Sequence, residues 1–252
     1  MNKKEFIEEL KKINIEITNT QLEQLELYKE ALITENKKYN LTAITKEEDI
    51  YLKHFYDCLT LYKAFPISNQ YICDIGTGAG FPGLVLKIIF PDIKIDLIDA
   101  TSKKCHFLEM IVKTLNLKEV NIINTRIEDY STKTREKYDV VVSRAVAPIK
   151  HLLEYAVPLL KVNGYFIALK GNIEEETQNI DNYYKKLSLT EEKIISFKLP
   201  KENSQRTILV IKKIKKTDLK YPRKYQIMIK KEIWGKISYF LILKNNNFSK
   251  LQ

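Results

Sequence analysis

The chain is poor in cysteine, arginine and glycine, and it has no apolar run of transmembrane length. Its three cysteines (Cys58, Cys73, Cys105) lack metal-ligand spacing, which argues against a disulfide scaffold or a zinc module and suits a reducing cytosol. The missing apolar span argues against a membrane protein. The opening MNKKEFIEELKK is charged and helical in pattern, unlike a signal peptide, so the expectation is a cytoplasmic protein without membrane or metal partners. Only five of the 42 basic residues are arginine (Arg126, Arg135, Arg144, Arg206, Arg223), beside abundant asparagine. Much of the net charge of +10 therefore reflects a lysine- and asparagine-rich bias, and the few arginines are the more informative positions. Glycine is the sharpest scarcity. Four of seven fall within eight positions of CDIGTGAGFPG, residues 73–83. Glycine costs backbone entropy and repays it where φ is positive or where another group must touch the main chain.

A chain of 252 residues fits one large domain, or one domain with an extension, and 44% hydrophobic content can bury a core. Residues 1–65 read as a helical extension: Phe6, Leu10 and Ile13 share one face, and Leu22, Leu25 and Leu32 another, opened by a cap-like Thr20. Strands then alternate with helices over residues 66–216. The strand candidates are 71–76, 94–100, 120–125, 138–145, 164–171, 193–199 and 206–214. This order predicts an α/β fold with a parallel, doubly wound sheet, and the wholly apolar strands suit a sheet covered on both faces. Residues 217–252 turn basic and aromatic and read as a C-terminal tail.

The glycine loop follows the first strand and opens a helix, the position where a doubly wound fold binds its ligand. Gly76, Gly78 and Gly80 give a weak G-x-G-x-G signal. The dinucleotide fingerprint wants glycine where Phe81 stands, so a pyrophosphate fits poorly and a dehydrogenase is disfavoured, whereas a carboxylate suits the helix N-terminus. Asp99, at the end of the second strand, is placed to accept from ribose hydroxyls. Asp74 can receive an ammonium group, directly or through water. Ammonium, carboxylate and ribose diol together describe S-adenosylmethionine better than NAD. The alternative is a tight turn with incidental carboxylates.

The sequence resembles the RsmG (GidB) family of small-subunit ribosomal RNA guanine-N7 methyltransferases over roughly residues 20–225. The resemblance rests on YNLTAIT (39–45), KHFYDCL (53–59), DIGTGAGFPG (74–83), LIDATSKKCHFL (97–108), RIEDY (126–130), VSRAVA (142–147), ALKG (168–171) and RTILVIKK (206–213). It implies a class I, Rossmann-like S-adenosylmethionine-dependent methyltransferase with a seven-stranded, mostly parallel sheet and an N-terminal helical extension. The implied substrate is one guanine in a loop of 16S ribosomal RNA near the decoding centre. Implied cofactor contacts fall on Gly76, Phe81, Ile127–Glu128 and Arg144, with Asp99 in the matching D-S/A segment. The chain departs from the pattern at Cys58, at Cys105–His106 and after YPRK (221–224), so the resemblance says nothing about residues 225–252.

Guanine N7 carries a lone pair and no proton at neutral pH, so methyl transfer to it requires alignment and no general base. No catalytic proton carrier is therefore named. Arg144 and Lys170, after the fourth and fifth strands, are positioning candidates; Arg126, Arg144, Lys170 and Arg223 are candidates for RNA. His54 and Asp57, and Tyr39 and Asn40, have either site or packing roles open to them. The expected partner is 16S ribosomal RNA or the small ribosomal subunit, met by a monomer. A small-molecule methyltransferase on the same fold and a non-catalytic RNA-binding assembly factor are the alternatives. A steep salt dependence of binding would mark RNA, and cofactor binding would exclude the inert factor.

Overall fold

The computed structural model describes residues 1–230 and 233. Seven strands form one sheet in the order β3-β2-β1-β4-β5-β7-β6. They are β1 (Tyr71–Ile75), β2 (Lys94–Asp99), β3 (Val120–Asn124), β4 (Tyr138–Arg144), β5 (Leu160–Lys170), β6 (Leu189–Lys198) and β7 (Gln205–Lys213). The first five run parallel, and β7 enters antiparallel between β5 and β6. This is the class I methyltransferase arrangement the sequence predicts, with each strand within a few residues of its expected place. The order reverses between β1 and β4, so their carboxyl ends open the crevice where such sheets hold ligands. Asp74 pairs with Val142 there, which brings Gly76 level with Arg144.

Helices cover both faces. On one lie α1 (Lys3–Lys12), α2 (Asn19–Tyr39), and a run over residues 47–63. That run joins α3 (Glu47–Asp49), a π-helical segment Ile50–Tyr56, α4 (Asp57–Leu59) and a 3-10 turn Thr60–Lys63. With them pack α5 (Gly83–Ile89) and α6 (Ser102–Thr114). Phe6, Leu10, Leu25, Leu32 and Phe55 share one core with Ile72, Leu97 and Val140 of the sheet, so the N-terminal extension is built into the domain. The second face carries α7 (Ile127–Lys133), α8 (Ile149–Leu159) and α9 (Ile180–Leu187) over Val141, Phe166 and Leu209.

One expectation is corrected. The cap of α2 is Thr18, whose hydroxyl accepts from Gln21 N while the Gln21 side chain accepts from Thr18 N; Thr20 lies inside the helix. Residues 217–230, the described part of the expected basic C-terminal tail, pack on the α8 side. Tyr221 and Met228 are buried, and the Arg135 guanidinium holds the carbonyls of Thr217, Asp218 and Tyr221. Ending this segment is α10 (Tyr225–Met228). The rest of the expected tail, 231, 232 and 234–252, lies outside the described residues.

Candidate active site at the carboxyl edge of the sheet

The glycine loop is fastened from below, from the side and from above. Gly76, Gly78 and Gly80 have φ of 69°, 62° and 105°, the left-handed region that a side chain disfavours. Asp74, fully buried beneath the loop, accepts from Thr77 Oγ1 and from Gly83 N, both at 2.7 Å, through Oδ2. Its Oδ1 is buried with no hydrogen-bond partner. Burial pushes the Asp74 carboxyl up to about 7, against the lowering effect of those two hydrogen bonds. Asp99 accepts from Gly78 N (3.0 Å) through Oδ2 and from Thr101 N (2.8 Å) through Oδ1. Tyr28 of α2, fully buried, donates its hydroxyl to the Ala79 carbonyl and stacks on Phe81.

The two leading glycines differ in what their missing side chain would meet. A Cβ on Gly76 would lie 2.6 Å from the Val146 methyl groups, whereas one on Gly78 would meet nothing within 4 Å. Gly78 therefore leaves bare main chain facing open space. Thr42, Ala79, Phe81 and Arg144 line a cavity of about 210 Å³ around this loop. Main chain open to the cavity at left-handed Gly78, an acidic end to β2 and an orphaned carboxylate oxygen buried under the loop together fit a small ligand with donor, diol and cationic groups.

Arg144, at the end of β4, is gripped on three sides. It donates to the Lys53 carbonyl (2.7 Å), to Asp57 Oδ2 (3.2 Å) and to His54 Nδ1 (3.0 Å). Its guanidinium lies 5.2 Å over the Phe81 ring, whose face also stacks on His54 at 4.1 Å. Because Arg144 must donate to Nδ1, the His54 proton sits on Nε2, which lies 2.9 Å from Thr42 Oγ1. Burial first, and the Arg144 charge second, lower the His54 pKa to about 3. His54 is thus a neutral spacer. Asp57 is shared with a second guanidinium, Arg206 Nε at 2.9 Å on Oδ1. Of the paired alternatives open at Tyr39–Asn40, Asn40 is the left-handed cap that ends α2.

A larger cavity of about 480 Å³ opens beside the first and shares its wall of His54, Arg144 and Ala145. Ile44, Leu169 and Ile208 supply apolar surface; Asp57, Glu176 and Arg206 supply charge. Lys170 reaches this cavity but is not a free cation. Its ammonium donates to the Ala147 carbonyl (2.8 Å) and pairs with Glu176 Oε2 (2.8 Å), and the residue is 9% exposed.

The remaining expected residues divide by what already occupies them. Arg223, a candidate for RNA, closes its fork on the fully buried Glu154, with Nε at 2.9 and 3.1 Å from the two carboxylate oxygens. The pairing compensates the charge of Glu154, which is fully buried. Arg126 is exposed at the start of α7. Ile127 packs against the second core, and Glu128 lines a separate cavity of about 580 Å³ with Arg223 and Tyr225. Thr125 N donates to the Asp99 carbonyl at 3.1 Å, so Ile127–Glu128 start beside the end of β2. Sequence reasoning did not single out Tyr28, Arg206 or Glu176. Arg206 carried a signal, as one of five arginines in a lysine-rich chain; Tyr28 and Glu176 carried none.

Residues 21–209 match the model of the GidB family, described as rRNA small subunit methyltransferase G. A Bacillus cytotoxicus protein named ribosomal RNA small subunit methyltransferase G is 44% identical over 228 residues, covering 89% of this chain and 95% of that protein. An Acetivibrio thermocellus protein of the same name is 40% identical over 224 residues, covering 88% and 93%. Among solved structures, M. jannaschii TYW2 in complex with AdoMet aligns with a TM-score of 0.49 at 17% identity, covering 58% of this chain and 70% of that one.

Proposed function

The chain belongs to the rRNA small subunit methyltransferase G family, and on that premise we propose that it methylates N7 of a guanine in 16S ribosomal RNA with S-adenosylmethionine as donor. The observation that carries this reading is the pair of cavities, one at the glycine loop and one beside it, sharing the wall of His54, Arg144 and Ala145. Such a pair suits a donor and an acceptor that meet at a common boundary.

S-adenosylmethionine supplies an electrophilic methyl group on a sulfonium, and the protein has to hold a nucleophile in line with it. The bare main chain of Gly76–Gly78 would hold the amino-acid end, with Asp74 below for its ammonium. Asp99 keeps a second lone pair on each oxygen for the ribose diol, and Ile127–Glu128 stand beside it for the adenine. At the shared wall His54 is neutral and bonded at both ring nitrogens, and next to it, in the larger cavity, Asp57 is locked between two guanidinium groups. No base is presented there, which agrees with a nucleophile that has no proton to lose. Arg144 retains N–H groups for guanine O6, the acceptor beside N7.

Arg126, exposed and without an ion partner among the described residues, is assigned to RNA phosphate. Lys170 acts on the acceptor cavity through Glu176 rather than on RNA directly. No helix among the described residues is long and apolar enough to cross a membrane. We place the protein in the cytoplasm, acting as a monomer on ribosomal RNA or the small subunit. Mapping N7-methylguanosine in ribosomal RNA from cells with and without the gene tests the proposal: an unchanged pattern would overturn it.

A further inference from the structure

The larger cavity contains two carboxylates, and they differ in what they have left to offer. Asp57 has both oxygens engaged by guanidinium groups, one on Arg144 and the other on Arg206. Glu176 is half used. Its Oε2 accepts from Ile149 N at 2.7 Å, at the start of α8, and pairs with the Lys170 ammonium at 2.8 Å. These two contacts fix the carboxylate against the cavity wall, while Oε1 has no partner among the described residues. A carboxylate held rigidly by one oxygen, with the other open to a cavity, is an acceptor waiting for a donor.

We propose that Glu176 selects guanine at the acceptor position, its Oε1 accepting from the N2 amino group. The inference rests on the reading of this cavity as the site of guanine N7 methylation. The geometry of the base then fixes the order of its contacts. With N7 turned to the glycine-loop cavity and O6 beside it at Arg144, the donor edge of N1–H and N2–H₂ follows next around the ring. That edge needs an acceptor, and Glu176 is the carboxylate of this cavity with one to spare. It lines the larger cavity and not the smaller, so it stands away from the shared wall. Adenine would bring an unprotonated N1 and no amino group to the same oxygen, leaving two acceptors face to face. The Glu176 side chain is 30% exposed in the open cavity, so it is the bound base that takes Oε1 out of water, and an analogue lacking the N–H then leaves that oxygen unpaired. Lys170 is a positioning residue in this scheme, acting through the oxygen it holds.

Inosine lacks the N2 amino group but keeps N7, O6 and N1–H, so it isolates the contact. The experiment compares methylation of 16S ribosomal RNA, free and reconstituted into small subunits, carrying guanosine or inosine at the target position. The wild-type protein should prefer guanosine by about tenfold in kcat/KM, and Glu176→Gln should contract that preference to within about twofold. The preference is a ratio within one preparation, so it does not depend on the fraction of active protein, and calorimetry with S-adenosylmethionine reports that the variant is folded. An undiminished preference in Glu176→Gln, or no preference in the wild type, overturns the assignment of Glu176 while leaving guanine methylation standing. Absence of N7 methylation on either RNA by the wild type removes the functional reading, and this inference with it.

Discussion

Two buried aspartates on adjacent strands show how the ends of this sheet differ. Asp96, in β2, faces the amino-terminal edge and gathers four donors: Tyr138 Oη at 2.6 Å, Lys137 Nζ at 2.7 Å, Asn121 Nδ2 at 2.8 Å and Tyr71 Oη at 2.9 Å. Burial raises its pKa, but these hydrogen bonds outweigh burial and hold it below the ordinary carboxylate range. Asp74, in β1, sits under the glycine loop with one oxygen satisfied and the other without a partner, and burial carries it up to about 7. The same residue type, equally buried, is closed at one end and open at the other. A saturated network has nothing left to give a ligand, so it serves the fold. Spare bonding capacity at Asp74, Arg144 and Glu176 lies together at the opposite edge.

The strongest way to break this contrast is at Asp96. Asp96→Ala should destabilise the protein by about 3 kcal/mol in urea unfolding, because Tyr138 and its companions lose their common acceptor. The loss falls at the low end for a buried ion pair, since Lys137 is 37% exposed and recovers part of its hydration. Cofactor affinity of the folded variant should be unchanged; a parallel loss there would show that the two ends are one unit.

Gly78→Val should do the reverse. The new side chain points into open cavity, so S-adenosylmethionine affinity by calorimetry should fall about 100-fold or more, roughly 2.7 kcal/mol. The left-handed backbone adds only about 1–2 kcal/mol of instability. Near-normal affinity in a folded Gly78→Val protein would remove this loop from the cofactor site. Gly76 is the poorer test, because Val146 would have to move as well.

A subtler test concerns Arg144, which is held by a carbonyl, a carboxylate and an imidazole at once. Lysine is a point charge and cannot satisfy three such directions. Arg144→Lys should lower methylation of ribosomal RNA at least about tenfold, about 1.4 kcal/mol, with a smaller change in cofactor affinity. Equal losses in the two assays would make Arg144 mainly a cofactor ligand.

What the sequence made legible was what is local in the chain. Strand and helix periodicities, the clustered glycines and Asp99 can each be read within about 25 residues, and Arg144 stands out at the end of an apolar strand in a chain with few arginines. The partners that give these residues their state are remote. Arg206 and Asp57 are 149 positions apart, Arg144 and His54 are 90, and Tyr28 lies 51 before Ala79. No periodicity encodes such pairs. The partner of Arg223 is hidden for the same reason, since Glu154 lies 69 residues earlier on a helix that reads as apolar. Glu176 falls in a charged segment whose sequence gives no sign that one of its carboxylates turns inward.

The smallest predicted effect is a proton, and it probes the open aspartate directly. With its folded pKa raised from 3.8 to about 7, Asp74 holds a proton that the unfolded chain has released through the interval between these values. Its shift therefore contributes stability that is full below about pH 4 and is lost as pH rises through about 7. His54 shifts in the opposite direction, from 6.5 to about 3, so its contribution is full above 6.5 and is lost as pH falls towards 3. Across the overlap the two slopes oppose each other, and a stability curve alone would hide both. Ligand binding separates them. A cationic ligand beside Asp74 favours the carboxylate and lowers its pKa, whereas His54 is neutral at pH 6 with or without such a ligand. Binding of S-adenosylmethionine at pH 6 should accordingly release up to about one proton, and release should fade above pH 8. Calorimetry in buffers of different ionisation enthalpy measures it, and Asp74→Asn should abolish it. If the wild type released no proton at pH 6, the ligand's positive charge would lie out of reach of Asp74. The open oxygen beneath the loop would then be a feature of the fold, like the closed network at the other edge.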